Sequence, residues 1–294
     1  MDIFRGNYQG LKDISIILGF FDGIHAGHKE VIKSGVGYAK SNGSKTAVIT
    51  FSKSPSEYFG KNVNYIYPRK ISYELMSKLG VDYIIEKDFS TLAQIGAEEY
   101  LKCLINDYRP ISISTGFNHT FGFNKKGTPQ YLEEQSSVYG YKYFCVNSCK
   151  FDNQIVSSSL IKEFLAKGEI ERANKFLTQP FKIESKVEEG LKLGKKIGFP
   201  TANMKYPEGI IKMPYGVYYV TYNNRPAILN WGKKPSIGEF DEGLELHVFN
   251  FDEDLYKKTI QIEILKKIRD EQKFDSIDEL KSQIAKDIEV CLKL

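Results

Sequence analysis

A chain of 294 residues, 41% hydrophobic and 27% charged, has the length for two domains and an ordinary globular composition. No apolar run is long enough to cross a bilayer. The net charge of +4, all of it carried by residues 1–180, suits a phosphate-rich ligand but is too small for a nucleic-acid surface. Neither a membrane nor a nucleic acid is therefore expected as a partner, and composition is silent on oligomeric state. The opening Met1-Asp2-Ile3-Phe4-Arg5 is not a basic stretch followed by an apolar core, so no secretory leader is expected. Cys103, Cys145, Cys149 and Cys291 show no zinc-type spacing with histidine, and reduced thiols in a cytoplasmic protein are the expectation.

The first strand-like segment is Ile14–Phe20. Apolar residues Val31, Ile32, Val36 and Ala39 then recur at helical spacing and predict a helix over Lys29–Lys40. Further strands are predicted at Thr46–Phe51, Tyr83–Glu86, Ile111–Thr115 and Tyr141–Val146, with helices at Lys70–Leu79 and Ala97–Asn106. Short helical patterns at Ser158–Ala166 and Ile170–Leu177 close this half. Buried-type strands alternating with helices predict an α/β domain with a parallel, Rossmann-like sheet. After Thr178-Gln179-Pro180 the pattern changes to short alternating strands and turns: Phe181–Val187, Gly216–Tyr222, Arg225–Trp231, Leu244–Phe249 and Thr259–Leu265. That is the signature of an antiparallel sheet or small barrel. A last helix opens at Ser276 with a capping box to Glu279 and an apolar stripe of Leu280, Ile284, Ile288 and Cys291. The expected domains are residues 1–180 and 181–294.

Two histidines three apart, in Gly19-Phe20-Phe21-Asp22-Gly23-Ile24-His25-Ala26-Gly27-His28, stand where a strand feeds a helix. Free N–H groups and the positive end of the helix dipole favour an anion there, glycine permits close approach, and imidazoles add donors. The plainer reading is a helix start whose histidines only cap or pack. Gly116-Phe117-Asn118-His119-Thr120-Phe121-Gly122 lies past another strand, and Ser157-Ser158-Ser159 with Lys162 opens a helix, as an N-cap or a phosphate contact. In the second half, Gly194-Lys195-Lys196-Ile197-Gly198-Phe199-Pro200-Thr201-Ala202-Asn203 combines glycines and lysines with the hard oxygens of Thr201 and Asn203, which suit Mg2+. By composition alone a basic surface turn followed by an ordinary strand is the commoner reading.

Together these segments resemble the bacterial bifunctional riboflavin kinase/FMN adenylyltransferase (FAD synthetase) family. Its G-x-F-D-G-x-H-x-G-H is complete here. In G-x-[DN]-F-x-F-G, His119 stands at an aromatic position. In I-S-S-T-x-I-R, serine replaces threonine and Lys162 replaces arginine, which keeps the charge but loses the bidentate fork. T-F-x-P-H-P appears as Thr50-Phe51-Ser52-Lys53-Ser54-Pro55, without its histidine. The second half is similar to G-R-x-L-G-[FY]-P-T-A-N, and then, in family order, Pro214-Tyr215-Gly216-Val217-Tyr218, Asn230-Trp231-Gly232-Lys233-Lys234-Pro235-Ser236, Glu245-Leu246-His247-Val248-Phe249-Asn250-Phe251 and Ile268-Arg269-Asp270-Glu271-Gln272-Lys273-Phe274 follow.

The resemblance implies a nucleotidyltransferase-like first domain and a riboflavin-kinase-like barrel. Riboflavin, FMN, FAD and ATP would be the substrates and products, with Mg2+ as cofactor. It places Gly19, Phe20, Asp22, Gly23, Gly27, Asn118, Ser158, Ser159 and Lys162 around ATP, with His25 and His28 at its α-phosphate. In the second half it implies Gly194, Lys195, Gly198, Pro200, Asn230, Arg269 and Phe274 as ATP or flavin contacts, Thr201 and Asn203 as metal ligands, and Glu245 as the base. His247, on the same strand face as Glu245, reads as a structural neighbour. Alternatives are a riboflavin kinase whose first half has weakened, a regulator that binds flavin or nucleotide without turnover, or an adenylyltransferase for another phosphate-bearing substrate.

Overall fold

In a computed structural model the described residues are 1–6, 8–189, 194, 197–235 and 240–294, with the backbone alone at 234, 235, 240 and 241. They group into two compact units, Met1–Ser158 and Ser159–Leu294.

The first unit is built on six strands: β1 (Asp2–Arg5), β2 (Ser15–Leu18), β3 (Thr46–Phe51), β4 (Tyr83–Lys87), β5 (Ser112–Gly116) and β6 (Lys142–Val146). They pair in the order β1-β4-β3-β2-β5-β6, every pair parallel. Ile16, Ile17, Ala47, Val48, Ile84, Ile85 and Ile113 are all fully buried, so the central strands are covered on both faces, as a parallel sheet requires. The covering helices are α1 (Ala26–Ser41), α3 (Arg69–Lys78), α4 (Ala97–Tyr108) and α5 (Pro129–Tyr139), with a single turn, α2 (Pro55–Tyr58), after β3. The strand order reverses between β2 and β5, so a crevice opens past their carboxyl ends. The histidine segment follows β2 and the Asn118 segment follows β5, which puts both at that crevice.

Each predicted element of this half is present, with ends shifted by a few residues. Five were not foreseen: β1, α2, α5 and the two strands of a short hairpin. β1 is a half-exposed edge strand held only by β4, so it lacks the apolar run of its neighbours. α2 is four residues long, and α5 buries only Leu132, so neither shows an apolar stripe. A two-residue hairpin, β7 (Lys150–Phe151) with β8 (Gln154–Ile155), precedes α6 (Ser158–Lys167).

The second unit is a closed antiparallel barrel of β9 (Phe181–Glu188), β10 (Ala202–Met204), β11 (Gly216–Tyr222), β12 (Arg225–Pro235), β13 (Phe240–Val248) and β14 (Thr259–Asp270), ordered β10-β13-β12-β11-β14-β9. Closure leaves no free edge. Phe181, Ile183, Tyr218, Val220, Leu229, Trp231, Leu244, Leu246, Ile262 and Ile264 fill the interior, and the indole N–H of Trp231 donates to the Met213 carbonyl at 3.0 Å. The last helix, α8 (Ile277–Leu292), is capped by Ser276, whose hydroxyl accepts the Glu279 N–H. Glu279 takes the N–H of Asp275 rather than that of Ser276, so the capping box reaches one residue further back. Of the predicted stripe only Cys291 is fully buried, and Asp287 is buried beside it.

The change of sequence pattern near Pro180 and the limits of the compact units mark different things. α7 (Ile170–Leu177) is a helix, yet it packs on β9 and β14 and buries Ile170, Ala173, Phe176 and Leu177. Asn174 bridges it to the barrel, donating to the Ile264 carbonyl at 2.9 Å and accepting the Phe181 N–H at 2.7 Å. A fragment of residues 159–294 should therefore melt at least ~5 °C above one of residues 181–294. Thermal unfolding of the two, followed by circular dichroism, checks this; equal midpoints would show that α7 adds nothing to the barrel.

Candidate active sites at the sheet crevice and on the barrel face

The turn from β2 to α1 is left-handed at Phe21 (φ +57), Gly23 (φ +88) and Ile24 (φ +43). A Cβ on Gly23 would stand 2.6 Å from Ile66 Cδ1, so conformation and space both demand glycine. Asp22 is buried, and its Oδ1 accepts the Ile66 N–H at 2.9 Å. Ser158 donates from Oγ to the Asp22 carbonyl at 2.8 Å, which ties the serine run to the histidine turn. Ser159 and Lys162 continue from Ser158 into α6.

His25 is the N-cap of α1, and its Nδ1 accepts the His28 N–H at 3.3 Å. The two imidazoles stack at 3.6 Å, and Phe21 meets His28 edge-on at 5.2 Å. Because Nδ1 of His25 is an acceptor, its neutral ring carries the proton on Nε2. Burial pulls the His25 pKa down to about 4, and burial together with His25 holds His28 well below its usual value. Both rings are therefore neutral donors at pH 7, not cations, and the fixed charge of the site comes from elsewhere. Gly27 lies against the His25 ring, Phe20 forms the first half of the turn, and Gly19 closes β2. Asn118 follows β5, with its Oδ1 beside Gly116 and Val31 close to the same backbone.

The departures from the family pattern have local explanations. Ser54 caps α2: its hydroxyl accepts the Ser56 N–H at 3.1 Å, and Glu57 takes the Ser54 N–H at 3.0 Å. It borders a cleft of about 660 Å³ at the carboxyl ends of β3 and β4, walled in part by Tyr58 and Phe89. A larger cleft, about 720 Å³, lies among Asp13, Tyr38, Arg109 and Tyr139, where the chain enters β2 and β5 rather than leaves them. Open parallel sheets bind ligands at the carboxyl ends, so the first cleft is the relevant one. His119 stacks on Phe121 as an aromatic would, but burial lowers its pKa to about 4 and its Nε2 has no partner.

On the barrel, strand register assembles what sequence order scatters. Asn203 of β10 lies opposite Glu245 of β13, Glu245 opposite Asn230 of β12, Asn230 opposite Val217 of β11, and Val217 opposite Arg269 of β14. Residues directly opposed across antiparallel strands share a face. The interior residues Leu229, Trp231, Leu244 and Leu246 alternate with this row, so the row faces outward. Beside it Val217 packs with Ile228, Phe249 and Cys291 of α8.

Before β10, two described residues are joined. The Phe199 N–H donates to the Gly194 carbonyl at 2.8 Å, and a Cβ on Gly194 would stand 2.3 Å from the Phe199 carbonyl oxygen. Gly198 is left-handed, and His247 Nδ1 meets the Pro200 carbonyl at 2.8 Å, a bracing contact rather than a catalytic one. Lys195 lies outside the described residues. A cleft of about 670 Å³ contains Pro200, Thr201 and Asn203, with Glu188 and Asp254 on its wall. Among the described residues no cluster of three His, Cys, Asp or Glu side chains forms a metal cage. Mg2+, which keeps waters and leans on nucleotide phosphates, fits such a sparse set of hard oxygens.

Three further contributors have no role assigned from sequence, although one of them, Glu271, lies in the Ile268–Phe274 segment. Asp287 holds Arg269 through two oxygens at 3.0 and 3.2 Å, and Arg269 lies 5.7 Å from the Phe274 ring centroid. Glu271 accepts the Lys233 N–H at 3.0 Å, in space that Gly232 leaves free. Arg69 grips the Phe20 carbonyl at 2.9 Å. Arg69 and Asp287 carry no local signal, since each is a common charged residue whose partner is distant in sequence; Glu271 lies in the Ile268–Phe274 segment, but its partner Lys233 is 38 residues away.

Neutral imidazoles thus stand at a helix start in one unit, and a carboxylate stands between two amides in the other. A FAD synthetase family model matches residues 8–160 and a riboflavin kinase model residues 177–294. The chain is 33% identical to the bifunctional riboflavin kinase/FMN adenylyltransferase of Haemophilus influenzae over 98% of its length and 97% of that protein. It is 34% identical to that of Buchnera aphidicola (100% and 98%) and 33% to that of Bacillus subtilis (92% and 89%). A solved structure from Streptococcus pneumoniae, named a macrolide-efflux protein, superimposes with a TM-score of 0.89 at 27% identity, covering 99% of both chains. No helix among the described residues is long and apolar enough to cross a membrane. The chain belongs to the bifunctional riboflavin kinase/FMN adenylyltransferase family.

The buried histidines set a pH dependence. A folded pKa of about 4 against an ordinary 6.5 means that the folded state binds fewer protons between those values. That stability is complete above pH 6.5 and is lost as the pH falls towards 4. His119→Phe should remove about one proton from this slope and, by deleting an unpartnered buried nitrogen, stabilise the protein by ~1 kcal/mol. Thermal midpoints of both proteins between pH 4.5 and 8 test it; parallel curves would contradict it.

Proposed function

We propose that the two activities of the family are divided between the two halves of this chain, residues 1–180 and 181–294. The second half phosphorylates riboflavin with ATP, giving FMN and ADP. The first half adenylylates FMN with a second ATP, giving FAD and pyrophosphate. The observation that carries the reading is the coincidence of motif and geometry: the histidine turn stands at the crevice of a parallel sheet, and Glu245 stands between Asn203 and Asn230 on the barrel.

In adenylyl transfer a phosphate oxygen of FMN attacks the α-phosphorus of ATP, and the bond to pyrophosphate breaks. His25, with Nδ1 engaged, offers Nε2–H to an α-phosphate oxygen; His28, stacked on it, lines the same place. The N–H groups at the start of α1 add positive potential. Such preorganised donors act by electrostatics and positioning, without a covalent intermediate. Gly19, Phe20, Asp22, Gly23 and Gly27 shape the turn, while Asn118, Ser158, Ser159 and Lys162 contribute further polar contacts to ATP.

In the kinase step the riboflavin 5′-hydroxyl attacks the γ-phosphorus, the bond to ADP breaks, and Glu245 accepts the hydroxyl proton. Thr201 and Asn203 would hold Mg2+, which offsets phosphate charge when bound. Gly194, Lys195, Gly198 and Pro200 form the phosphate loop, and Asn230, Arg269 and Phe274 flank the flavin. Asp287 fixes the direction of Arg269. A cytoplasmic location suits both substrates.

His28→Ala should lower FAD formation by ~10²–10³-fold and leave FMN formation at the wild-type rate. Chromatographic separation of flavins over time, with riboflavin, ATP and magnesium supplied, reads both at once. Wild-type FAD production by this variant would remove His28 from the site.

Glu245→Gln keeps the size of the side chain but cannot take a proton, so FMN formation should fall ~10²–10⁴-fold, mainly in turnover. Conversion of supplied FMN to FAD should be nearly unchanged. A merely structural Glu245 predicts the reverse, a lower melting temperature with a modest rate change.

A further inference from the structure

The turn that delivers His25 is costly. Phe21 and Ile24 are not glycine, yet both are left-handed, and such residues cost about 1–3 kcal/mol each unless their surroundings hold them. Burial of both side chains repays part of this. Polar clamps do the rest: Ile66 N–H on the Asp22 carboxylate, Ser158 Oγ on the Asp22 carbonyl, and Arg69 Nη1 on the Phe20 carbonyl, which also accepts a longer bond from Thr50 Oγ1 at 3.4 Å.

The third clamp is unlike the others. Arg69 is the first residue of α3, and its Nη2 also donates to Thr50 Oγ1 at 2.9 Å. Its guanidinium carbon lies 4.6 Å from the Phe20 ring centroid and 4.9 Å from that of Tyr73. Its Nε is buried without a hydrogen-bond partner. A permanent charge is thus held between two aromatic faces, a hydroxyl and one carbonyl of the strained turn. An apolar side chain of similar length would fill that space without the cost of desolvating a cation. The turn it grips carries two neutral imidazoles into a helix with no acidic residue in its first turn.

We propose that Arg69 is a positioning residue for adenylyl transfer: its two-point grip on Phe20 and Thr50 fixes the turn that carries His25 and His28, and its fixed charge adds to the potential at the start of α1. The proposal rests on adenylyl transfer taking place at those histidines. Arg69 touches no reacting atom. Its effect is on where the donors stand, so loss of the grip lowers turnover more than it weakens ATP binding.

The test compares Arg69→Met and Arg69→Lys in the full-length protein, with FMN formation as the internal control. Arg69→Met should lower kcat for FAD formation by ~10²-fold, since small misplacements of catalytic groups cost that much. Its KM for ATP should change by less than about threefold. Arg69→Lys keeps the charge but not the fork, and should recover part of the lost turnover. FMN formation should be unchanged in both. If Arg69→Met fails to fold, Thr50→Val removes one of the two grips with little change of volume, and should lower kcat by ~10-fold. Wild-type kcat in a folded Arg69→Met protein, or in Thr50→Val, overturns the proposal, as does equal loss in the Met and Lys variants that follows their melting temperatures. His28→Ala separates the two levels. If it leaves FAD formation intact, the site assignment itself fails; if it abolishes FAD formation while the Arg69 variants do not, only the role of Arg69 fails.

Discussion

Between β2 and α1 the backbone has seven residues in which to leave a buried strand and start a helix with its first N–H groups facing the crevice. It does so by turning left-handed at Phe21, Gly23 and Ile24. Only glycine takes that conformation freely, so the other two positions must be held by their surroundings. The surroundings are the buried side chains of Phe21 and Ile24, the Asp22–Ile66 and Ser158–Asp22 bonds, and the arginine at the start of α3. The stacked pair of imidazoles exists because that turn exists: His25 caps the helix, and the His28 N–H is the bond it accepts. The placement of the two imidazoles is therefore a property of a strained loop, made precise by clamps from distant elements.

The barrel solves the same problem in another way. Glu245 sits mid-strand, and its neighbours Asn203 and Asn230 are fixed by antiparallel register. A one-residue slip of β13 would send Glu245 inward and expose Leu244 or Leu246, so the burial of Leu244, Leu246, Leu229 and Trp231 enforces the placement of the carboxylate. Arg269 reaches the row from β14 and is steadied by Asp287 from α8. Here a rigid sheet supplies the precision.

Burial also changes what the site's residues are. Imidazoles read as donors that can be neutral or cationic near neutral pH prove to be neutral, since desolvation outweighs a backbone hydrogen bond at His25 and acts together with His25 on His28. The same burial makes His119 an ill-suited occupant of an aromatic position: it stacks on Phe121, but one nitrogen goes unsatisfied. Ser54, by contrast, is well used, because a short helix begins there and a serine caps it better than a histidine would.

Much of this molecule is written locally. Alternation of buried strands with helices, the change to short alternating strands after Pro180, and the cap at Ser276 are short-range patterns, and the elements they predict are present. The motifs at His25, Asn118, Thr201 and Glu245 are local as well, and their order along the chain was enough to indicate the family. What sequence could not show is which of these distant segments meet. The row Asn203, Glu245, Asn230 depends on strand register, and the packing of α7 on the barrel depends on which surfaces bury apolar area. The partners of Arg69, Asp287 and Glu271 lie from 18 to 49 residues away. Charge states belong with them, because a pKa is set by burial and neighbours in space. Sequence determined the elements and the chemical groups; tertiary structure decided their company, since hydrogen bonds, strain relief and desolvation act between atoms that touch, whatever their separation along the chain.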